Sequence, residues 1–304
     1  MNIFNQLVVS SLSFTPKFIV AKVADRYIAG EHLADAVSTV KQLNSKGVMA
    51  TIDVLGEDVT TREEATASRD ACVNVLSAIA QHSLNANLSV KLTQIGLKID
   101  KEFCRENVET ILSAARAANN FVRIDMEDHT CTDDTLAVYR AVRSAFGGSN
   151  VGIVIQAYLR RSEDDVKTLA AEGANVRLCK GIYNESPAIA FKDRREIQQN
   201  YIRLLKILFN AKCRVGIATH DDVLIDAASQ IIQDLHLTPQ DYEFQMLLGV
   251  RSERRAQLVR EGHRLRVYTP FGKQWYAYSI RRLKENPQIA GYVFKAMFET
   301  QREK

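Results

Sequence analysis

Short runs of β-branched and other apolar residues recur along the chain, and each is followed by a longer stretch whose apolar residues return with helical spacing. This alternation predicts strands that are each followed by a helix. Eight runs have the length of buried strands: residues 48–54, 88–92, 121–126, 152–157, 176–180, 214–219, 243–247 and 265–269. The clearest amphipathic stretches between them cover residues 62–82, 102–118, 133–145 and 196–210.

The order of these elements predicts a parallel sheet, because two parallel neighbours need a connection long enough to hold a helix. Eight strand–helix units in about 220 residues match the size of a closed (β/α)8 barrel of the TIM type. An open doubly wound sheet is the alternative, but one that binds a dinucleotide usually has a glycine-rich turn after its first strand. Here that strand runs into DVLGE (53–57), without GxGxxG, which favours the barrel.

We expect a single domain, because no Pro- or Gly-rich linker interrupts the series. A helical lead-in would occupy residues 1–47, with its helix at 29–46. The barrel would cover residues 48–273. Two further helices, 274–286 and 288–298, would fill the terminal segment 274–304.

Composition narrows the class of protein. The chain has 304 residues and a formal net charge of +4, with basic and acidic residues interleaved. Such a small excess does not indicate nucleic-acid binding, and no apolar run approaches the roughly 20 residues needed to cross a bilayer. The N-terminus lacks a basic leading segment and a cleavage site, so we expect a cytoplasmic protein. Five widely spaced cysteines without a CxxC pair favour free thiols over a disulfide framework or a zinc site.

Polar side chains stand at the predicted carboxyl ends of the strands, where a barrel of this kind has its active site. They are Asp53, Lys91, Asp125, Glu127, Gln156, Arg177, Lys180, Thr219, His220, Gln245 and Tyr268. Burying one unpartnered charge or amide costs several kcal/mol, so a single case would suit a structural ion pair as well as a catalyst. Their coincidence at most of the strand ends favours a functional site.

Three other classes of function are conceivable for such a barrel. A metal-dependent hydrolase needs several His or carboxylate ligands around one ion, and His220 is the one histidine at a predicted strand end. A Schiff-base aldolase stays open, because Lys91 or Lys180 could be a desolvated amine nucleophile. An inactive barrel that only binds a partner would be expected to have lost several of the strand-end charges, which are present here.

A polar motif follows the last predicted strand. In WYAYSIRRLKEN (275–286), Tyr278, Arg281, Arg282 and Glu285 have the spacing i, i+3, i+4, i+7 and would share one helix face. Two adjacent guanidinium groups on that face could bind a small carboxylate in bidentate fashion. A solvated face of a terminal helix explains these residues equally well on their own.

Together these motifs resemble the proline dehydrogenase family, and the similarity extends from the lead-in helix to residue 286. The most specific element is the YxxRRxxE helix, and a second is VRLCKGIY (176–183), which matches VRLxKGxY. Further matches are DVLGE (53–57), VKL (90–92), IDMED (124–128), IVIQAY (153–158), ATHD (218–221), YEFQ (242–245) and VYTPFG (267–272). Their common order makes the resemblance far more specific than any single motif.

The resemblance implies an FAD-dependent enzyme whose flavin lies over the carboxyl ends of the strands, and it implies no metal. Arg177, near the flavin N5, would favour the reduced anionic flavin through its fixed positive charge. The implied cofactor-binding residues are Met126, Gln156, Arg177, Lys180, Gly181, Ile182, Thr219 and His220.

The resemblance further implies oxidation of L-proline to Δ1-pyrroline-5-carboxylate, the first step of proline degradation, by hydride transfer to the flavin N5. Asp125 would hold Lys91 and the neighbouring polar network in place, and Glu57 would pair with Arg281 as a gate over the substrate. Lys91, Arg281 and Arg282 would bind the substrate carboxylate. Leu247, Tyr268 and Tyr278 would pack on the pyrrolidine ring. The implied substrate-binding residues are Lys91, Leu247, Tyr268, Tyr278, Arg281 and Arg282.

The implied electron acceptor is a quinone, which would bring a cytoplasmic enzyme to the inner face of the membrane as a peripheral visitor. A separate pyrroline-5-carboxylate dehydrogenase would take the product, and no nucleic acid is involved. The ring of Tyr268 would crowd proline C4, so we expect proline to be preferred over hydroxyproline.

Overall fold

The barrel is described by a computed structural model that covers residues 26–56, 58–276 and 278–280. Within these ranges the strands form one closed parallel barrel in chain order. Its closure comes from the pairing of the last strand with the first, which sets Thr51 beside Tyr268. The strands are β1 (Met49–Val54), β2 (Ala86–Val90), β3 (Val122–Ile124), β4 (Val151–Gln156), β5 (Val176–Cys179), β6 (Val215–Ala218), β7 (Tyr242–Leu247) and β8 (Leu265–Phe271). The expected TIM-type barrel is confirmed.

In the described part of the chain one helix precedes the barrel, and a helix follows each of the strands β1 to β7. The first packs against β8 and β1, the two strands whose pairing closes the barrel. None of the helices in the described ranges is both long and apolar enough to cross a membrane. The helices are α1 (Leu33–Asn44), α2 (Arg62–Gln81), α3 (Lys101–Ala117), α4 (Thr132–Phe146), α5 (Ser162–Ala171), α6 (Arg194–Asn210), α7 (Asp222–Asp234) and α8 (Ser252–Arg260).

Several helices begin where a short polar side chain accepts hydrogen bonds from the first turn. The Thr61 hydroxyl accepts from the backbone N–H of Glu64, and the Glu64 carboxylate accepts in return from the Thr61 N–H. This reciprocal capping box fixes the start of α2. Asp100 and Asp193 cap α3 and α6 in a similar way, with one carboxylate oxygen on two backbone N–H groups. Local side-chain chemistry therefore sets these boundaries.

The two faces of the barrel wall differ in character, because side chains alternate between them along each strand. The outer face packs against the helices and forms the hydrophobic core, in which Ile52, Leu88, Ile124 and Phe244 are 0% exposed. The inner face carries buried polar and charged side chains that bond to one another. They include Thr51, Asn87, Ser89, Arg123, Gln245 and Arg266. The barrel interior is thus a polar core that leads to the mouth.

The predicted strands run past some of the observed ends. β2 ends at Val90, β3 at Ile124 and β5 at Cys179, so that Lys91, Asp125 and Lys180 begin the loops at the mouth. The apolar pattern continues for a residue or two after the ladder of hydrogen bonds stops. The predicted helices at 274–286 and 288–298 lie outside the described residues, except for 274–276 and 278–280.

Candidate active site

A cavity of about 280 Å³ opens at the carboxyl ends of the strands. Its wall includes every described residue to which the family resemblance assigns a role in the site. These are Lys91, Asp125, Met126, Gln156, Arg177, Lys180, Gly181, Ile182, Thr219, His220, Leu247, Tyr268 and Tyr278. The closed barrel therefore brings together side chains that are spread over most of the chain.

Three predicted residues, Glu57, Arg281 and Arg282, lie outside the described residues, and so does Glu285 of the same motif. Their roles stay predictions. Tyr278, the first residue of the YxxRRxxE motif, is described and is 6% exposed. It reaches the cavity and packs in a small apolar cluster with Tyr27, Ile28 and Leu55.

Lys91 follows β2 and pairs with Asp53 on the neighbouring strand β1. Its Nζ donates to the two carboxylate oxygens of Asp53 at 2.9 and 3.0 Å, and to Tyr268 Oη at 3.4 Å. Asp53 is fully buried, and this burial raises the pKa of its carboxyl group even though the charge of Lys91 acts to lower it. A Schiff-base nucleophile needs a free neutral amine, whereas Lys91 Nζ is bound to the Asp53 carboxylate. The pair therefore argues against an aldolase centred on Lys91.

Asp125 is the centre of a second cluster. Its Oδ1 accepts from Arg177 Nη1 at 2.8 Å and from Ser89 Oγ at 2.7 Å, and its Oδ2 accepts from Tyr268 Oη at 3.1 Å. Lys91 itself pairs with Asp53, which lies on the directly neighbouring strand β1, and Tyr268 Oη links Lys91 to Asp125. The expectation that Asp125 holds Lys91 and the polar network in place stays a prediction.

Tyr268 joins the two clusters. Burial raises the pKa of its phenol well above the usual range, and the charge of Asp125 adds to this effect. The phenol therefore stays protonated, donates to Asp125 and accepts from Lys91. Its ring also lies beneath the guanidinium of Arg177, with 5.5 Å between Cζ and the ring centre. The result is a connected network of two cations, two carboxylates and a phenol at the barrel mouth.

Ser89 is a member of this network that sequence reasoning missed. A serine inside a strand is ordinarily a structural residue, and nothing local distinguishes this one. Ser89 precedes Lys91 by two positions, however, and the period of two along a strand sets both side chains on the inner face. That parity is the signal that could have found it.

Gln156, at the end of β4, offers an unused acceptor at the cavity. Its Nε2 donates to the backbone carbonyls of Glu127 at 2.7 Å and Met126 at 3.3 Å. Its Oε1 is buried without a hydrogen-bond partner among the described residues. A buried acceptor without a partner costs free energy, and a bound group with an N–H donor would remove that cost. Gln156 is thus suited to a ligand that carries an N–H donor.

The loops after β5 and β6 complete the cavity wall. His220 Nε2 accepts from the backbone N–H of Leu247 at 2.9 Å, so a neutral ring carries its proton on Nδ1. Thr219 Oγ1 accepts from the N–H of Asp221 at 3.2 Å, and the Asp221 carboxylate lies 3.6 Å from Lys180 Nζ. These contacts hold polar groups and one cation at the rim.

Comparisons with known proteins agree with the geometry. A family model described as proline dehydrogenase matches residues 36–294. Proline dehydrogenase 1 of Bacillus subtilis (strain 168) is 40% identical over 276 residues, which cover 91% of each chain. The proline dehydrogenase of Deinococcus radiodurans is 34% identical over 280 residues, which cover 91% of this chain and 90% of that one.

A solved structure supports the same assignment. Proline utilization A (PutA) from Bdellovibrio bacteriovorus, inactivated by N-propargylglycine, superposes with a TM-score of 0.82 and 26% sequence identity. The match covers 88% of this chain and 33% of the PutA chain. The fold and the charged mouth define a TIM-type barrel with its site at the carboxyl ends of the strands, and the family match makes it an oxidoreductase. More particularly, the chain belongs to the proline dehydrogenase family. It therefore acts on proline, in the first step of proline catabolism.

Proposed function

We propose that this protein oxidises L-proline to Δ1-pyrroline-5-carboxylate with FAD as its bound cofactor. The main support is a single observation. All the described residues that the family motifs predict to bind the cofactor or the substrate line one cavity. When bound, FAD would accept the hydride from the proline Cδ at its N5 and pass the electrons to a quinone. The protein's own side chains bind and orient the substrate and exclude water.

The residues at the mouth fit a flavin in their chemistry. Gln156 Oε1 is a buried acceptor that needs a donor, and a flavin ring edge carries an N–H group between two carbonyl groups. Gly181 adopts a φ of +103°, and a Cβ there would lie 2.1 Å from Tyr158 Cδ1, so only glycine fits this loop. The residues that would hold FAD are Met126, Gln156, Arg177, Lys180, Gly181, Ile182, Thr219 and His220.

The substrate would lie between the flavin and the terminal helix that carries Tyr278. Lys91 would bind the proline carboxylate together with Arg281 and Arg282. Glu57 would close the site by pairing with Arg281. The rings of Tyr268 and Tyr278 and the side chain of Leu247 would pack on the pyrrolidine ring. Support comes from the burial of Lys91 and Tyr278 at the same cavity.

We further propose where the enzyme acts, which acceptor takes its electrons and which enzyme consumes its product. The chain would act as one catalytic domain in the cytoplasm and would meet its quinone acceptor peripherally at the inner face of the membrane. A separate Δ1-pyrroline-5-carboxylate dehydrogenase would consume the imine product. The modest basic excess of +4 is compatible with brief contact with an anionic membrane surface.

An absorbance spectrum tests the cofactor and the substrate together. We expect the purified protein to be yellow and to lose its visible flavin absorption when L-proline is added without oxygen. D-Proline is the matched control and should leave the spectrum unchanged. A colourless protein that borohydride links covalently to its substrate would contradict the proposal and favour the Schiff-base aldolase.

The ring of Tyr268 gives a prediction about specificity. Tyr268→Ser is expected to raise kcat/KM for hydroxyproline relative to proline by about tenfold. The smaller side chain would leave space for the hydroxyl group on C4 of hydroxyproline. Tyr268→Phe is the control, since it keeps the ring and loses only the hydrogen bonds to Asp125 and from Lys91. If the ratio of kcat/KM values changed equally in both variants, the ring would not be the specificity element.

A further inference from the structure

Glu243 and Gln245 stand two positions apart on the inner face of β7 and connect Arg177 to the lower part of the barrel. Gln245 Oε1 accepts from Arg177 Nε at 2.5 Å, and Gln245 Nε2 donates to Glu243 Oε1 at 2.6 Å. Glu243 in turn accepts from Arg266 Nε at 2.6 Å and from Arg266 Nη2 at 3.1 Å. These four side chains form one continuous chain of hydrogen bonds.

The neighbours of Gln245 decide which way its amide points. A guanidinium such as Arg177 can only donate hydrogen bonds, and an ionised carboxylate such as Glu243 can only accept them. One amide orientation satisfies both neighbours, and the reversed one would set N–H against N–H and oxygen against oxygen. The charge of Glu243 therefore keeps the Gln245 carbonyl oxygen on Arg177.

Glu243 keeps that charge although it is only 6% exposed. Burial by itself would raise the pKa of its carboxyl group, but the charge of Arg266 and the hydrogen bonds from Arg266 and Gln245 lower it to about 2. Arg266 is itself anchored, since its Nη1 donates to the backbone carbonyl of Ala50 at 2.7 Å. The acceptor that orients Gln245 is thus tied through Arg266 on β8 to the backbone of β1.

A glycine on the neighbouring strand leaves space for the Gln245 amide. Gly216, on β6, lies beside the amide, and a Cβ at this position would come within 2.5 Å of Gln245 Nε2. An alanine there would have to displace the amide, although it would change no charge and no backbone hydrogen bond. Gly216 therefore offers an independent way to disturb the link.

We propose that Glu243 is a positioning residue that acts on Arg177 through Gln245. By holding the Gln245 carbonyl oxygen on Arg177 Nε, it leaves Arg177 Nη1 directed at Asp125 and Ser89. Glu243 itself is not among the residues that line the cavity. The inference rests on the proposed function, because the placement of Arg177 would set the reduction potential of bound FAD.

The test measures that potential by anaerobic titration against a dye of known potential. Glu243→Gln should lower the potential and slow the reduction of bound FAD by saturating proline about tenfold, with a smaller change in KM. Gly216→Ala should shift the potential in the same direction, and it serves as the test if Glu243→Gln does not fold. Tyr201→Phe is the stability control, because it removes a buried hydrogen bond of 2.9 Å to the Leu178 carbonyl on the strand that carries Arg177. It should lower thermal stability and leave the potential unchanged.

A double-mutant cycle tests the route through Gln245. Gln245→Met cuts the link, so adding Glu243→Gln to it should cause no further shift in potential. If Glu243→Gln still shifts the potential in the Gln245→Met background, Glu243 acts on the flavin through its own electrostatic field, and the proposal is overturned. Unchanged potentials in both Glu243→Gln and Gly216→Ala would overturn it as well. A wild-type protein that binds no flavin would instead contradict the proposed function, so the two failures can be told apart.

Discussion

Replacing Arg177 by methionine is expected to remove most of the activity and a large part of the stability. Arg177 is 6% exposed and its Nη1 lies 2.8 Å from Asp125, so methionine leaves that carboxylate without its cation. Breaking a buried ion pair on one side typically costs about 3–5 kcal/mol. Removing one donor that stabilises transition-state charge typically lowers the rate by about 10²–10³, so a loss of this size is expected if Arg177 has the proposed role. Thermal unfolding and the rate of proline oxidation with excess FAD check both expectations.

Arg177→Lys separates charge from geometry at this position. Lysine can restore the ion pair with Asp125, but a single ammonium lacks the planar fork that also bonds Gln245. We therefore expect most of the stability to return and much less of the activity. A methionine variant as active as the wild type would contradict any role of Arg177 in the reaction.

The second large effect is expected from Lys91→Met. The variant leaves the fully buried Asp53 without its partner, which should lower the free energy of unfolding by about 3–5 kcal/mol. A hydrogen bond to a charged group contributes about 1.5–3 kcal/mol, so KM for proline should rise roughly 10- to 100-fold if Lys91 binds the carboxylate. Chemical denaturation and steady-state kinetics measure the two effects separately.

The double variant Asp53→Asn/Lys91→Met distinguishes structural support from substrate binding. It removes both charges, so no unpaired carboxylate stays buried and most of the lost stability should return. KM for proline should stay high, because the cation that would bind the carboxylate is still missing. A return of KM to the wild-type value would mean that Lys91 has a purely structural role.

The destabilisation by Lys91→Met should also depend on pH. Burial already raises the pKa of Asp53 in the folded protein, and the loss of Lys91 raises it further. The folded carboxyl group then binds its proton more tightly than the unfolded one, whose pKa is about 3.9. Both proteins lose stability as the pH rises above about 4, but the wild type stops losing it at its own folded-state pKa, whereas the variant continues to a higher one. The stability of the variant relative to the wild type should therefore fall as the pH rises between these two folded-state pKa values. A difference that does not change with pH would contradict an unpaired Asp53 carboxylate.

The order of elements could be predicted from the chain alone, because the two periodicities are local properties of short segments. Each of the eight predicted strands overlaps an observed one, from residues 48–54 with β1 to residues 265–269 with β8. The charged residues of the mouth were also visible, since Lys91 and Arg177 each interrupt an apolar run. Errors in the strand ends amount to a few residues and do not change which side chains reach the cavity.

The partners of those residues could not be predicted. Asp53 and Asp125 both stand at the carboxyl ends of predicted apolar strands, and nothing near either one in the chain shows which of them meets Lys91. Ser89 and Glu243 lie inside strands, and the partners of a polar residue there depend on which strands lie beside it. The chain by itself thus determined a barrel with a charged mouth, because local spacing settles both. The tertiary structure alone decided which cation meets which carboxylate, because those contacts join different strands whose separation depends on how the barrel closes.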